Sequence, residues 1–458
     1  MIQEATNIVR ILQENNHHAY FVGGCVRDTL RKRNISDVDI ATLARPEQVI
    51  SLFSKKYKVI PTGIAHGTVT VVTPNHSFEI TTFRKDVSCD GRNATVQFTN
   101  CIVDDLSRRD FTMNAVAYDP ISVRYLDPYD GIGDIKNNVL RSVGHAYDRF
   151  REHYLRIFRA ARFYAVFNMQ ISDDITSSIQ NLSDNDFTVM RKLVSPERIK
   201  GEFDKCFAKA EAPSKMLGVL ALHPNLLDVA KLGELTRCNG FVQNKYHKYD
   251  VYGHTIRTLD AVPKEYPLIR YSALFHDLGK LWTCKDYGTD DASFHGHERV
   301  SEKIAVRIMR DLKFSCEEIN FIANLVRHHM FQYNDKMTNT AIRRIVTKLG
   351  KENIEPLLIL KYADRVGNGT KKVFEMDLKN TGLMRRFEEL TAGEQIFSMK
   401  NLAISGYDVM NILNITEGKN VGRILKMVYD VVMDRPSAND RDYLLAILPT
   451  LVDVYELG

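Results

Sequence analysis

Over the first 140 residues the apolar positions switch between two periods. Ile2, Ala5, Ile8, Val9 and Leu12 recur at helical spacing, which predicts an amphipathic helix within Met1 to Asn16. Tyr20-Phe21-Val22 is a short continuous apolar run of the kind a buried strand carries. Thr68 to Thr73 and Phe78 to Phe83 have the β-branched and aromatic content of strands. From about Tyr147 the period is almost wholly helical, as in Tyr154 to Phe167, Ile199 to Phe207 and Ile319 to Val326. The pattern predicts an α+β chain: an α/β head over 1–140, helical segments over 141–245 and 246–375, and a helical tail over 376–458.

Composition narrows the setting. At 458 residues the chain has room for two to four domains. No apolar run approaches the roughly 20 residues of a membrane span, and the N-terminal stretch lacks the form of a signal peptide. Seven cysteines without a CxxC pair argue against a disulfide framework or zinc ribbon, and point to a reducing cytoplasm. The net charge of +5 permits a nucleic-acid partner without requiring one.

Three head segments carry candidate chemistry. In Val22-Gly23-Gly24-Cys25-Val26-Arg27-Asp28, two glycines follow a strand and precede a predicted helix. Such a turn lets backbone N–H groups approach a phosphate, and Arg27 adds a cationic fork; the same turn also serves as a plain tight connection. In Ser36-Asp37-Val38-Asp39-Ile40, side chains two apart on a strand share a face, about 6–7 Å apart at the backbone. Two carboxylates so placed repel unless a cation such as magnesium lies between them, or unless the strand is a solvated edge. Glu79 is a candidate third carboxylate. In Arg108-Arg109-Asp110-Phe111-Thr112-Met113-Asn114, the residues Arg109, Asp110 and Asn114 suit triphosphate and ribose, or a surface salt-bridge cluster.

Taken in order, GGxVRD, DxD and RRDFTxNA resemble motifs A and B of the class II CCA-adding enzymes and bacterial poly(A) polymerases. Thr82-Phe83-Arg84 and Asp90-Gly91-Arg92 are similar to the segment between those motifs. Glu152-His153-Tyr154-Leu155-Arg156 through Arg159 and Arg162, and Ser195-Pro196-Glu197-Arg198-Ile199, resemble the nucleotide-selecting and neck helices, so the likeness runs from residue 20 to about 210. The resemblance implies a polymerase-β-like head sheet followed by a helical neck and body. It implies that Asp37 and Asp39 hold Mg2+ for two-metal nucleotidyl transfer, with Glu79 as a further catalytic carboxylate. Gly23, Gly24, Arg27, Arg109, Asp110 and Asn114 match nucleotide-binding positions. His153, Arg156, Arg159 and Arg162 match the helix on which base choice is made by protein side chains. The implied activity is addition of CMP and AMP from CTP and ATP to a tRNA 3′ end. Partial CC- or A-adding enzymes and poly(A) polymerase are alternatives. The full-length segment between Arg84 and Arg109, and the Ser195 to Phe207 stretch, are more like the complete CCA-adding form. One position departs: the family has aspartate where this chain has His153. A neutral imidazole offers one acceptor nitrogen and a protonated one none, so base selection through that acceptor would depend on pH near ~6.5.

Further along, His254, then His276-Asp277, then Asp364 follow the H…HD…D order of the HD phosphohydrolase superfamily. His297 and His328 are additional candidates of the kind seen in two-metal variants. The resemblance implies a second site for a divalent transition metal such as manganese, iron or nickel, either structural or hydrolytic towards phosphate esters. Leu402 to Val409 and the region of Gly422 are similar to the helical tail of such proteins, where tRNA binding is expected. A different class of function also fits: an RNA-binding protein whose principal activity is HD hydrolysis.

Overall fold

In the computed structural model, which describes residues 1–89, 91, 94–332, 336–370, 382–391 and 399–454, the N-terminal helical repeat forms α1 (Ile2–Glu14). Its apolar stripe, Ala5, Ile8, Val9 and Leu12, is fully buried. The first nine strands are β1 (Ala19–Val22), β2 (Asp39–Thr42), β3 (Lys58–Gly63), β4 (Thr68–Val72), β5 (Ser77–Thr82), β6 (Arg84–Cys89), β7 (Ala94–Phe98), β8 (Ala117–Asp119) and β9 (Arg124–Leu126). Seven of them form one sheet in the order β3-β4-β5-β2-β1-β8-β9, and β6 and β7 form a separate hairpin.

The sheet is covered on both faces, which explains why β1 reads as unbroken apolar sequence. On one face Phe21, Ile40, Val69, Val71, Phe78 and Ile80 pack with the α1 stripe and with Phe53 of α3 (Pro46–Phe53). On the other, Val22, Ala41, Phe83, Leu106, Ala115, Ala117 and Val143 form a second cluster. Between β1 and β2 lies α2 (Gly24–Leu30), and α4 (Ile102–Ser107) precedes the segment that leads into β8. The β6–β7 hairpin is seated on the sheet through Phe98. A Cβ on Gly67, whose φ is +79°, would come within 2.5 Å of the Phe98 ring.

Helices α5 (Gly131–Asn137), α6 (Ala146–Glu152), α7 (Leu155–Phe167), α8 (Asp173–Gln180), α9 (Asp184–Leu193) and α10 (Pro196–Phe207) continue the chain. Helix α7 is buried over most of its surface, with Ile157, Phe158, Ala160, Ala161 and Phe163 enclosed, while Arg156, Arg159 and Arg162 are each paired with an acid. Ser183 caps α9 through a reciprocal pairing with Asp186.

The chain divides into two compact bodies. One comprises Met1–Asn239, Pro263–Pro267 and Ile308–Phe314, and the other Gly240–Val262, Leu268–Arg307 and Ser315–Gly458. The expected boundary near 375 lies outside the described residues, as do Asp90 and Arg92. In the second body α11 (Val251–Ala261) and α15 (Ile354–Asn368) pack face to face, made possible by Gly367, where a Cβ would sit 2.1 Å from Thr258 Oγ1. The other helices that bear on its chemistry are α12 (Pro267–Phe275), α13 (His297–Asp311) and α14 (Cys316–His328). Val409, Ile424, Val428, Val432, Leu444 and Leu448 form a separate C-terminal cluster. Among the described residues no helix is long and apolar enough to cross a membrane.

The stretch between α4 and β8 is fixed to α7 by Phe111, fully buried and edge-on to Phe163 at 5.6 Å. Phe111→Ala should lower unfolding stability by about 3–5 kcal/mol. Urea denaturation followed by circular dichroism measures this, and a loss below 1 kcal/mol would mean that Phe111 does not hold the two elements together.

Candidate functional sites

The first site grows from the sheet. Parallel pairing of β2 with β5 sets Asp39 directly opposite Glu79. Strand β2 begins at Asp39, so Asp37 stands in the chain leading into it and not on the strand itself, a correction to the expected strand-face pairing. The carboxylates nevertheless interact. Crowding by the protein, the nearby charge of Asp37 and that of Glu79 push the Asp39 carboxyl up to about 6, against the opposing pull of Arg109. A carboxylate kept so reluctant to ionise, with one side open to solvent, fits a site completed by a cation.

The glycine turn approaches the same place. Gly23 has φ +75°, and a Cβ there would come within 2.9 Å of Arg109 Nη1 and 3.7 Å of Asp39 Oδ2. Arg27 is held by a bidentate pairing with Asp28 at 2.8 and 2.9 Å and by Asn114 Oδ1 at 2.9 Å, and it lies over the Phe167 ring at 4.8 Å. Asn114 in turn donates to Asp110 at 2.9 Å, and Asp110 accepts from Arg159 Nε at 2.6 Å. Burial raises the Asp110 carboxyl, but Arg159 and Asn114 more than offset this and bring it down to about 2. Asp28, Arg27, Asn114, Asp110 and Arg159 are thereby joined in one network.

The arginine stripe on α7 differs from expectation. Arg156 donates to Glu152 Oε2 at 2.6 Å, to Arg149 O at 3.0 Å and to Arg108 O at 2.7 Å. Arg162 is buried, pairs with Glu202 at 2.5 Å and lies 3.9 Å over the Phe163 ring. A three-residue spacing winds around a helix, so the stripe turns from the site at Arg159 into the core at Arg162. His153 precedes α7 in extended conformation, with φ −157° and ψ 98°. Successive side chains of extended backbone point to opposite sides. Glu152 and Tyr154 line a polar cavity of about 630 Å3 with Lys85, Arg108, Arg149 and Arg151, and His153 is not among its lining residues. His153 Nδ1 accepts from Leu155 N–H at 3.3 Å. The acceptor that the sequence left available for a base is thus used inside the chain.

The second site lies in the other body and is almost sealed. Asp277 Oδ2 is 3.2 Å from both His254 Nε2 and His276 Nε2, while its Oδ1 is 3.1 Å from His297 Nε2 and 3.6 Å from His329 Nε2. Asp364 Oδ1 adds a contact of 3.1 Å to His254. Two three-residue sets with metal-holding geometry, His254-His276-Asp277 and Asp277-His297-His329, therefore share one carboxylate. His276, His297 and His329 each bond through Nδ1 to a backbone carbonyl three residues earlier at 2.7 Å. That fixes the proton on Nδ1 and turns the lone pair of Nε2 inwards. His328 is not part of the cluster: its Nδ1 bonds to Asn324 O within α14, and it is His329, just past the helix end, that faces Asp277.

Inward nitrogen pairs at 3.0 Å (His254–His276) and 3.1 Å (His297–His329) are mutually repulsive without a proton or cation between them. Burial opposes a charge on His254, yet hydrogen bonds to Asp277 and Asp364 hold it protonated to about 9. The donor set of imidazoles and carboxylates fits a transition metal. Lys280 Nζ, 2.6 Å from Asp277 and 2.7 Å from Gln243 Oε1, supplies further positive charge.

Several of these residues escaped the sequence reading. Asp105, buried between Arg108 and Arg109, sits three and four positions before them on α4, and Lys280 follows Asp277 by three; both spacings were visible as charge pairs. Glu202, distant in sequence from Arg162, left no such signal.

Residues 19–141 match the family described as the poly A polymerase head domain, and residues 297–448 match that described as tRNA nucleotidyltransferase domain 2. The CCA-adding enzyme of Lactobacillus delbrueckii subsp. bulgaricus is 44% identical over 204 residues, 44% of this chain and 49% of that protein. That of Staphylococcus epidermidis is 41% identical over 214 residues, 44% of this chain and 52% of the relative. The matched part spans about half the length of these curated relatives. The crystal structure of the Bacillus stearothermophilus CCA-adding enzyme in complex with CTP is 26% identical, with a TM-score of 0.71, covering 99% of this chain and 98% of that one.

His153 generates a test of the site's electrostatics. Burial, then Arg198, Arg156 and Arg159, push its imidazole down to about 4. Because the folded pKa lies below the unfolded value, the unfolded chain binds the extra proton between pH ~6.5 and about 4, and this contribution to stability is lost as pH falls through that window. NMR titration of the ring should show no protonation at pH 6. A midpoint near ~6.5 would place the ring in open solvent, away from the arginines.

Proposed function

The chain belongs to the family of the class II bacterial CCA-adding enzymes, and we propose that it adds CMP and AMP from CTP and ATP to the 3′ end of tRNA without a nucleic-acid template. The observation that carries this reading is the convergence of Asp39, Glu79, Gly23 and Arg109 around the start of the central strand β2, with Asp37 near enough to raise the Asp39 pKa. Asp37 and Asp39 are the residues that would hold Mg2+. When bound, such ions lower the pKa of the attacking 3′-hydroxyl and offset the charge gathering on the departing pyrophosphate. Glu79, opposite Asp39, adds negative charge that favours cation occupancy.

The remaining residues position. Gly23 and Gly24 leave the turn without side chains beside Arg109, so phosphate oxygens can approach the backbone. Arg27 is oriented before any nucleotide arrives, since Asp28, Asn114 and the Phe167 ring fix its plane. Orientation of this kind reduces the ordering cost at the transition state. Arg109 neutralises the triphosphate. Asp110 and Arg159 hold the selecting helix α7 against the triphosphate segment.

Asp37→Ala and Asp39→Ala should each reduce nucleotide addition to tRNA lacking its terminal CCA by at least about 100-fold, an effect of several kcal/mol. Both variants should fold, since removing either acid relieves repulsion. Near-normal addition by Asp39→Ala would refute the assignment.

A second reading concerns the other body, where the shared carboxylate favours it. We propose that His254, His276, Asp277 and Asp364, with His297 and His329, hold divalent transition metal, as in the HD phosphohydrolases that the motif order resembles. An ion there would activate water for phosphate-ester hydrolysis, with Lys280 placed to receive an anionic product. Elemental analysis of tag-free protein should find metal in the wild type and a loss in His276→Ala/Asp277→Ala. Equal content in the two would remove this reading.

A further inference from the structure

We propose that the turn Arg31-Lys32-Arg33, which joins α2 to the chain leading into β2, grips the phosphate backbone of the RNA primer strand just behind its 3′ end. The inference rests on the transferase reading above and adds where the strand that carries the attacking hydroxyl is held.

Three guanidiniums crowd one ring. The guanidinium carbons of Arg27, Arg31 and Arg33 lie 4.8, 4.9 and 4.7 Å from the centre of Phe167, the last residue of α7. Among the described residues a single carboxylate, that of Asp28, pairs with any of the three, and Arg27 takes it. Arg31 registers the excess: burial, then the charges of Arg33 and Arg27, pull its pKa below the ordinary arginine range. Lys32, exposed between Arg31 and Arg33, adds a further charge that meets no acid among the described residues.

The fold accounts for only part of this. Cations suit the C-terminal end of a helix, and Arg31 donates to Phe167 O at 3.1 Å and Arg33 to Val166 O at 3.4 Å. Arg31 donates also to Asn138 Oδ1 at 3.2 Å. All three bonds come from Nη2 atoms, so among the described residues Nε and Nη1 of each arginine remain open to an anionic partner. Lys32 stands where glycine is usual. Its φ is +54°, and bonds from Arg33 N–H to Asp28 O at 2.8 Å and from Lys32 N–H to Thr29 O at 3.0 Å close α2 in the pattern whose left-handed residue is most often glycine. Nothing in the packing asks for a lysine there.

Position identifies the anion. Four residues lead from Arg33 to Asp37, a span of at most ~14 Å. Lys32, Arg33, Asn34, Ser36 and Asp37 are all exposed, so an open track runs from the turn to the carboxylates. The incoming triphosphate has its own cations in Arg27 and Arg109 at the glycine turn. A strand whose 3′-hydroxyl meets Asp37 and Asp39 must trail its phosphates away from them, and the basic turn lies within a few nucleotides' reach. Phosphate contacts fix register without reading sequence, which suits a strand whose end changes with each nucleotide added.

The test compares full-length wild type with Lys32→Gly and with Lys32→Gly/Arg33→Gln, using tRNA that lacks its 3′ CCA. Glycine relaxes the left-handed backbone and glutamine keeps a donor for Val166 O, so thermal unfolding should show both variants folded. Each phosphate contact adds about 0.7–0.9 to the slope of log Kd against log salt, so the single variant should lose about that much and the double variant about 1.4–1.8. Counted from 1 M salt, the double variant's Kd at 0.1 M should rise about 25–60-fold. The KM for RNA should rise with it while the KM for CTP stays where it is. Unchanged Kd and slope in the folded single and double variants would overturn the inference. A raised KM for CTP with RNA affinity intact would also overturn it, and would give the turn to the triphosphate. A wild type that binds this RNA but adds no nucleotide would overturn the transferase reading instead, whereas the salt slope decides the RNA contact without any catalysis.

Discussion

The buried carboxylate of Asp110 is the point on which the first body's chemistry depends. It accepts from Arg159, from Asn114 and from the backbone N–H of Phe111. A charge taken so far out of water is costly by itself, and only partners of this quality make it tolerable. Removing one partner would leave the others facing an uncompensated charge, an effect of about 3–5 kcal/mol. The three contacts also link segments distant in sequence: α7, the loop after α4, and, through Asn114 and Arg27, the glycine turn. Catalytic positions drawn from several elements are registered against each other by this group more than by the sheet.

The two acid-bearing sites solve opposite problems. At Asp39 the carboxylates lie at an open strand end in the middle of the sheet, and Arg109 relieves part of their mutual repulsion. At Asp277 nearly every ligand atom is buried, and three of the four imidazoles have their tautomer fixed by backbone carbonyls. The second arrangement is preorganised and closed, suited to retaining an ion. The difference follows from position: strand ends are exposed, while the imidazoles of the second site project between packed helices.

Much of this was legible in the sequence. The α1 stripe, β1, β4 and β5 fall where periodicity puts them, because each buries a face whose pattern is unambiguous. The hairpin β6–β7 and the edge strand β9 were missed, since Arg84, Lys85, Asp86 and Arg124 give strands with no apolar alternation. Of the candidate residues, those that meet through backbone register were well placed, as with Asp39 and Glu79. Those that depend on side-chain direction were less so. Arg162 turned out to be a core strut, and His329 took the position expected of His328, because one residue past a helix end changes the direction of a side chain completely.

The exchange of an aspartate for His153 can be understood from the charges around it. Arg156 and Arg159 are already balanced by Glu152 and Asp110, so the arginine-rich surface demands no further acid. An imidazole in that setting stays neutral for two reasons that reinforce each other: its surroundings are partly dry, and Arg198, Arg156 and Arg159 all oppose a further positive charge. Neutrality makes it able both to cap α7 with Nδ1 and to present a donor with Nε2. A carboxylate could perform the first task but not the second. The departure therefore keeps the helix start intact without adding an acid to a surface whose arginines are already paired.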